Sequence, residues 1–167
     1  MAEEHRIHCV RGSLGAADAA ALVGLEPLPA QRAQKVYAPH YWFVACGSSP
    51  TLFGRRDFAV DCLVDACSGD AATADRFSVD EELSNGLVLP TVWSADDAER
   101  VAVRRTLANL SRQLRTLADF HVDVELRGLI YKPCWLLPRA DEHVLIDALT
   151  GGWYSVATGD AAAAALT

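Results

Sequence analysis

Two periods organise the hydrophobic positions of this chain. Arg6-Ile-His-Cys-Val-Arg11 alternates weakly and predicts a short strand. Leu14 to Val23 is alanine-rich, with Ser13 placed as an N-cap and Gly24 as the residue that ends it, which predicts a helix. Val36 to Cys46 is dense in aromatic and β-branched residues and predicts a strand, with Pro39 marking an edge or a bulge. Gly47 to Asp57 reads as a loop, Phe58 to Ala66 as a strand, and the acidic, polar residues 70–85 as a connection. Leu87 to Trp93 predicts another strand. Ser94-Ala-Asp-Asp97 then starts a helix running to about Ala118. Val103, Leu107, Leu110, Leu114 and Leu117 recur at helical spacing and predict its buried face. His121 to Leu126 alternates as a half-buried strand does, and Gly128 permits a bend or bulge into a strand at Tyr131.

The richest stretch is Tyr131-Lys-Pro-Cys-Trp135 followed by Val144-Leu-Ile-Asp-Ala-Leu-Thr-Gly151, a hairpin ending in an Asp-Ala-x-Thr-Gly turn. An earlier copy reads Tyr37-Ala-Pro-His-Tyr-Trp42 and Leu63-Val-Asp-Ala-Cys-Ser-Gly69. Matching strand, Ser-capped helix, strand, strand and turn in both halves predicts an α+β fold made by internal duplication of a βαββ-like unit. The expected halves are residues 1–80 and 81–167, forming antiparallel sheets with helices packed on one face. Each sheet would lie under the helix of its own half. Asp65 and Asp147 are expected to form turns rather than to act as acids. An Asp carboxylate bonds amides two residues on, and the following Gly takes positive φ.

The ends of the halves, Leu63–Gly69 and Leu145–Tyr154, resemble the close of a PepSY-type repeat. The resemblance covers the helix and following strands of each half. It implies a cystatin-like arrangement and a binding or regulatory module acting on a peptidase or membrane partner, with no catalytic residues.

Composition narrows the choices. The chain has 167 residues, a net charge of −7 and a pI near 5.1. A polyanion repels such a surface at long range, so nucleic-acid binding is not expected. Five cysteines, an odd number without a C-x-x-C, suggest reduced thiols. Together with an N-terminus lacking an apolar segment and the absence of a long apolar run, they predict a cytoplasmic protein without a membrane span.

No nucleophile elbow, phosphate loop or dinucleotide fingerprint occurs. His5, His8, Cys9, His40, Cys62 and Cys67 match no zinc-ligand spacing, so no metal and no cofactor are expected. A hairpin centred on Ala140 would put Cys134 and His143 on opposite faces, against a thiol dyad. The expected function is a non-enzymatic protein-binding or regulatory module, acting through a sheet face or the 47–57 loop. Leu52, Phe53, Arg55 and Arg56 are the candidate contacts there, and a homodimer is a possible outcome. The alternative is a small-molecule binder or enzyme with an aromatic cleft between helix and sheet, drawing on Trp42, Trp135 and Trp153. Arg100, Arg104, Arg105, Arg112 and Arg115 form a candidate basic face on the second helix, more simply read as solvated.

Overall fold

The computed structural model describes residues 6–25, 33–51, 54–74, 77–114, 121–139 and 142–156. Nine strands and two helices follow in the order β1 (Arg6–Val10), α1 (Ala16–Leu22), β2 (Gln34–Thr51), β3 (Gly54–Asp65), β4 (Ala71–Ala74), β5 (Val79–Leu83), β6 (Leu87–Val88), α2 (Ala95–Leu114), β7 (His121–Arg139), β8 (Glu142–Asp147) and β9 (Trp153–Val156). Ladders join them in the order β4-β3-β2-β7-β1-β5, with β6 beside β2, β8 beside β7 and β9 beside β8.

This corrects the expected α+β class. Of the described residues, 56% lie in strands and 20% in helices, so the fold is mainly β. The sheet is mixed rather than antiparallel, since β1 pairs parallel with β7 and β6 parallel with β2. Three local expectations account for the shift. Residues 47–51 and 54–57 of the expected loop are strand: β2 and β3 stay in register out to Thr51 opposite Gly54. The 70–85 connection holds β4 and β5. The strands expected at His121–Leu126 and at Tyr131 are one, β7, running from His121 to Arg139 with Gly128 inside it at φ +152°.

The chain forms two compact units. The first comprises Met1–Pro39, Ser78–Pro90 and Ile130–Thr167; the second comprises His40–Phe77 and Thr91–Leu129. In the first unit, α1 seats Ala19 and Ala20 on Leu137, Val144 and Ile146 of the β7–β8 hairpin. In the second, α2 seats Ala98 and Ala102 on Phe43, Cys62 and Val64 of the β2–β3 hairpin. Each helix therefore covers the hairpin of the other sequence half, not its own as the sequence suggested. Small residues make both contacts possible. Ala19, Ala98 and Ala102 are fully buried and let helix backbone approach strand closely. On α2 the buried line is Ala98, Ala102, Thr106 and Leu110, while the expected core residues Val103 and Leu107 are only half-buried.

The two Asp–Gly turns are the same device, bond for bond. The amides of Cys67 and Ser68 donate to Asp65 Oδ1 (2.7 and 3.2 Å), and those of Leu149 and Thr150 donate to Asp147 Oδ1 (2.8 and 3.4 Å). Gly69 and Gly151 close the turns with φ of +79° and +71°, where a Cβ is unfavourable. The alanine after each Asp then receives the approach to a helix. Ala66 O accepts from the amides of Val92 and Trp93, and Ala148 O accepts from those of Ser13 and Leu14. An aromatic on the long strand fixes each approach: Tyr41 Oη donates to Trp93 O (3.0 Å), and Trp135 Nε1 donates to Leu14 O (2.8 Å). The helix N-caps correspond as Gly15 and Ser94, so Ser13 is not the first cap. Gly15 offers no side-chain bond, which leaves α1 the weaker start.

Candidate functional site

Three regions carry the exposed or concave chemistry. The first is the far end of the β2–β3 hairpin. Near its base, Phe43, Cys62 and Val64 face α2 and are buried. Outward from Asp57, successive β3 residues Arg56, Arg55 and Gly54 are all exposed. Because successive strand residues point to opposite faces, exposure at both means no core lies on either side. Arg55 lies back along the ribbon, donating from its guanidinium to Ser48 Oγ at 2.7 and 3.0 Å. Arg56 is exposed beside it. Leu52 and Phe53 lie outside the described residues.

The second region is the arginine face of α2. Arg100, Arg104, Arg105 and Arg112 are exposed, and Arg115 lies outside the described residues. Arg100 and Arg104 share a shallow recess of about 510 Å³ with Glu99 and Val103. Arg100 is held by Asp97 (2.9 Å) and by Asp96 O (3.3 Å), and Arg104 bonds Arg100 O (3.4 Å). These are contacts within one helix surface, each worth a few tenths of a kcal/mol.

The third region escaped sequence reading. A recess of about 290 Å³ in the first unit is lined by Arg11 on the β1 side, Lys35 at the start of β2, Asp80 and Glu82 on β5, and Pro133 and Trp135 on β7. Arg11 pairs with Asp80 at 2.8 Å and Lys35 with Glu82 at 3.2 Å. The Lys35 ammonium also sits 4.8 Å above the ring of Tyr37, whose hydroxyl donates to Asn85 (2.7 Å). Asp80 and Glu82 lie in a stretch whose sequence looks like a polar connection. Only the pairing of β5 with β1 brings them to Arg11 and Lys35.

Titration in the recess is pushed away from neutrality. Burial, reinforced by Glu82, raises the Cys9 thiol to about 12. Burial favours neutral Lys35, but its bonds to Tyr37 and Glu82 outweigh that and raise its pKa. Burial would raise Glu82 too, yet bonds from Tyr37 and Lys35 hold it below the usual carboxylate range. At neutral pH these three present a thiol, a cation and an anion, fixed charges suited to binding rather than to proton transfer.

The thiols elsewhere are similarly quiet. Burial raises Cys62 and Cys67 to about 11. The expected face argument for Cys134 and His143 is corrected. Cys134 pairs with Asp147 and His143 with Pro138, so both lie on one face. Four residues of strand separate them, about 13 Å, and that distance rather than orientation prevents a dyad. Cys46 alone among the five cysteines is exposed. A native-state titration with a thiol reagent at pH 8 is therefore expected to modify Cys46 rapidly and Cys9, Cys62 and Cys134 only with unfolding. Rapid native labelling of Cys9 would contradict this reading.

The aromatics do not form one cleft. Tyr37 is fully buried and Trp135 lines the recess. Trp42 packs edge-on against Phe77 and donates to Asp61 (2.8 Å). Trp153 and Tyr154 are exposed on β9, with the Arg139 guanidinium 5.8 Å from the Trp153 ring. Among the described residues, no group of three or more His, Cys, Asp or Glu is placed to hold a metal ion, and no helix is long and apolar enough to cross a membrane. No family model matches the chain, and no curated protein or solved structure matches it significantly.

Proposed function

We propose that the protein is a non-catalytic binding module that engages another protein through the outer β2–β3 ribbon. The observation that supports this reading is the ribbon's exposure on both faces at Gly54 to Asp57, while its ladder continues to Thr51. A ribbon exposed on both faces has no core of its own there and gains stability by acquiring a partner surface. Its sequence carries Leu52 and Phe53 between the strands, followed by Arg55 and Arg56. That combination suits an apolar socket with an acidic rim, where an aromatic anchor supplies affinity and arginine supplies orientation.

A photo-crosslinking residue placed at position 55 of the full chain tests the proposal in the native cell, with position 108 on α2 as control. A discrete adduct at 55, absent at 108 and lost when Leu52 and Phe53 are both changed to Ala, is expected. An adduct at twice the chain mass would identify a second copy as the partner. No discrete adduct at 55, or the same adducts at both positions, would overturn the assignment.

A further inference from the structure

We infer that the recess in the first unit binds a small zwitterion of amino-acid size, with Arg11 taking its carboxylate and Asp80 its ammonium group. The charges facing the space balance: two cations, Arg11 and Lys35, against two anions, Asp80 and Glu82. A ligand of either net charge would leave one of these groups facing its own sign. A ligand bearing both charges meets complementary groups on both sides.

The two ion pairs differ in how readily they can exchange partners. Lys35–Glu82 is the more enclosed, with side-chain exposures of 24% and 38%, and Lys35 is additionally held over Tyr37. Arg11–Asp80 is open to solvent, at 71% and 47%. An exposed pair contributes little net stability, so opening it to admit a ligand's own carboxylate and ammonium costs little. The guanidinium can then grip the carboxylate through two parallel N–H donors, which a lysine cannot do. Asp80, released from Arg11, accepts from the ammonium.

The remaining wall is apolar and held in place. Trp135 is anchored by its indole N–H to Leu14 O at 2.8 Å, so its ring does not need to be ordered by the ligand. Pro133 lies beside it, and Gly12 packs so tightly there that a Cβ would stand 2.7 Å from Pro133 Cγ. A volume of about 290 Å³ is the space of roughly ten waters, enough for one free amino acid with an aliphatic or aromatic side chain.

The test is a nuclear magnetic resonance titration of the full chain with L-phenylalanine and L-leucine, read at the Trp135 indole N–H. N-acetyl-L-phenylalanine, which lacks the ammonium, and L-phenylalanine amide, which lacks the carboxylate, serve as single-charge probes. A saturable shift with a free amino acid is expected, weakened about tenfold or more by either blocking group, since each removes a bond to a charged partner. Arg11→Gln and Asp80→Asn each remove one arm and should abolish the shift. Arg11 is exposed and Asp80 half-buried, and unchanged melting would show that the variants fold. Arg127→Gln, in the second unit and paired with Glu125, should bind as the unaltered chain does. No saturable shift with either amino acid at millimolar concentration would overturn the inference, as would equal response to the blocked forms. So would undiminished binding by both recess variants.

Discussion

Asp147→Ala is expected to lower the unfolding free energy by about 3 kcal/mol, against about 1 kcal/mol for Asp65→Ala, in denaturant melts of the two variants. The turns are identical in backbone bonding, so loss of the amide acceptor is common to both. What differs is the residue that faces each carboxylate from the long strand. Lys132 donates to Asp147 Oδ2 at 2.6 Å, and the two side chains are only 22% and 20% exposed. Removing Asp147 leaves that ammonium enclosed without its partner. The position matched to Lys132 by the Tyr-x-Pro alignment is Ala38, which carries no charge to strand.

The pH dependence follows from the same pair. Burial raises the Asp147 pKa, but bonds from Lys132 and the Leu149 amide outweigh it and hold the carboxyl below its ordinary 3.8. A depressed folded-state pKa contributes stability above the unfolded value and loses it as pH falls through the folded one. The Asp147 contribution is thus complete above about pH 4 and disappears progressively below. The acid limb of stability should be shallower in Asp147→Asn. An unchanged acid limb would show that the pair does not supply this dependence.

Leu137→Ala should cost about 2–5 kcal/mol and also release α1. Leu137 is fully buried beneath Ala19 and Ala20. The helix above it has seven residues and no side-chain N-cap bond, so its own propensity cannot sustain it in water. Phe43→Ala removes the corresponding residue under α2, at about 3–5 kcal/mol. There, twenty residues and the Ser94 cap, with Ser94 Oγ accepting from the Asp97 amide, give the helix more support of its own. Hydrogen exchange should show amides at 20–22 losing protection in Leu137→Ala, while α2 amides stay protected in Phe43→Ala. Retained protection of α1 in Leu137→Ala would contradict the packing described.

What could be read from the residues was what local bonding decides. Asp65 and Asp147 were legible as turn formers because their bonds reach amides two and three residues on. The start of α2 was legible because Ser94 and Asp97 are a local pair. Elements decided by distant partners were not. Val79–Leu83 looks like a polar connection because Asp80 and Glu82 are there to meet Arg11, just past β1, and Lys35 of β2. The buried line of α2 does not follow its leucines, because close packing against β3 selects Ala98 and Ala102. Arg139 pairs with Glu142, one residue out of the register of a hairpin centred on Ala140, and that shift puts His143 on the same face as Cys134. The exchange of helices was invisible for a plainer reason. Both hairpins offer apolar faces and both helices offer alanines, so no local pattern says which belongs with which. The recess inherits that invisibility, being lined from β1, β2, β5 and β7.

The exchange of helices between sequence halves can be measured directly through nuclear Overhauser contacts to the alanine methyl groups. The Ala98 and Ala102 methyls should contact the Phe43 ring and Val64, and the Ala19 methyl should contact Val144 and Ile146. Contacts from Ala19 to Phe43 or Val64, with Ala98 contacting Ile146 instead, would show each helix lying on its own half and would contradict the arrangement on which the ribbon and the recess depend.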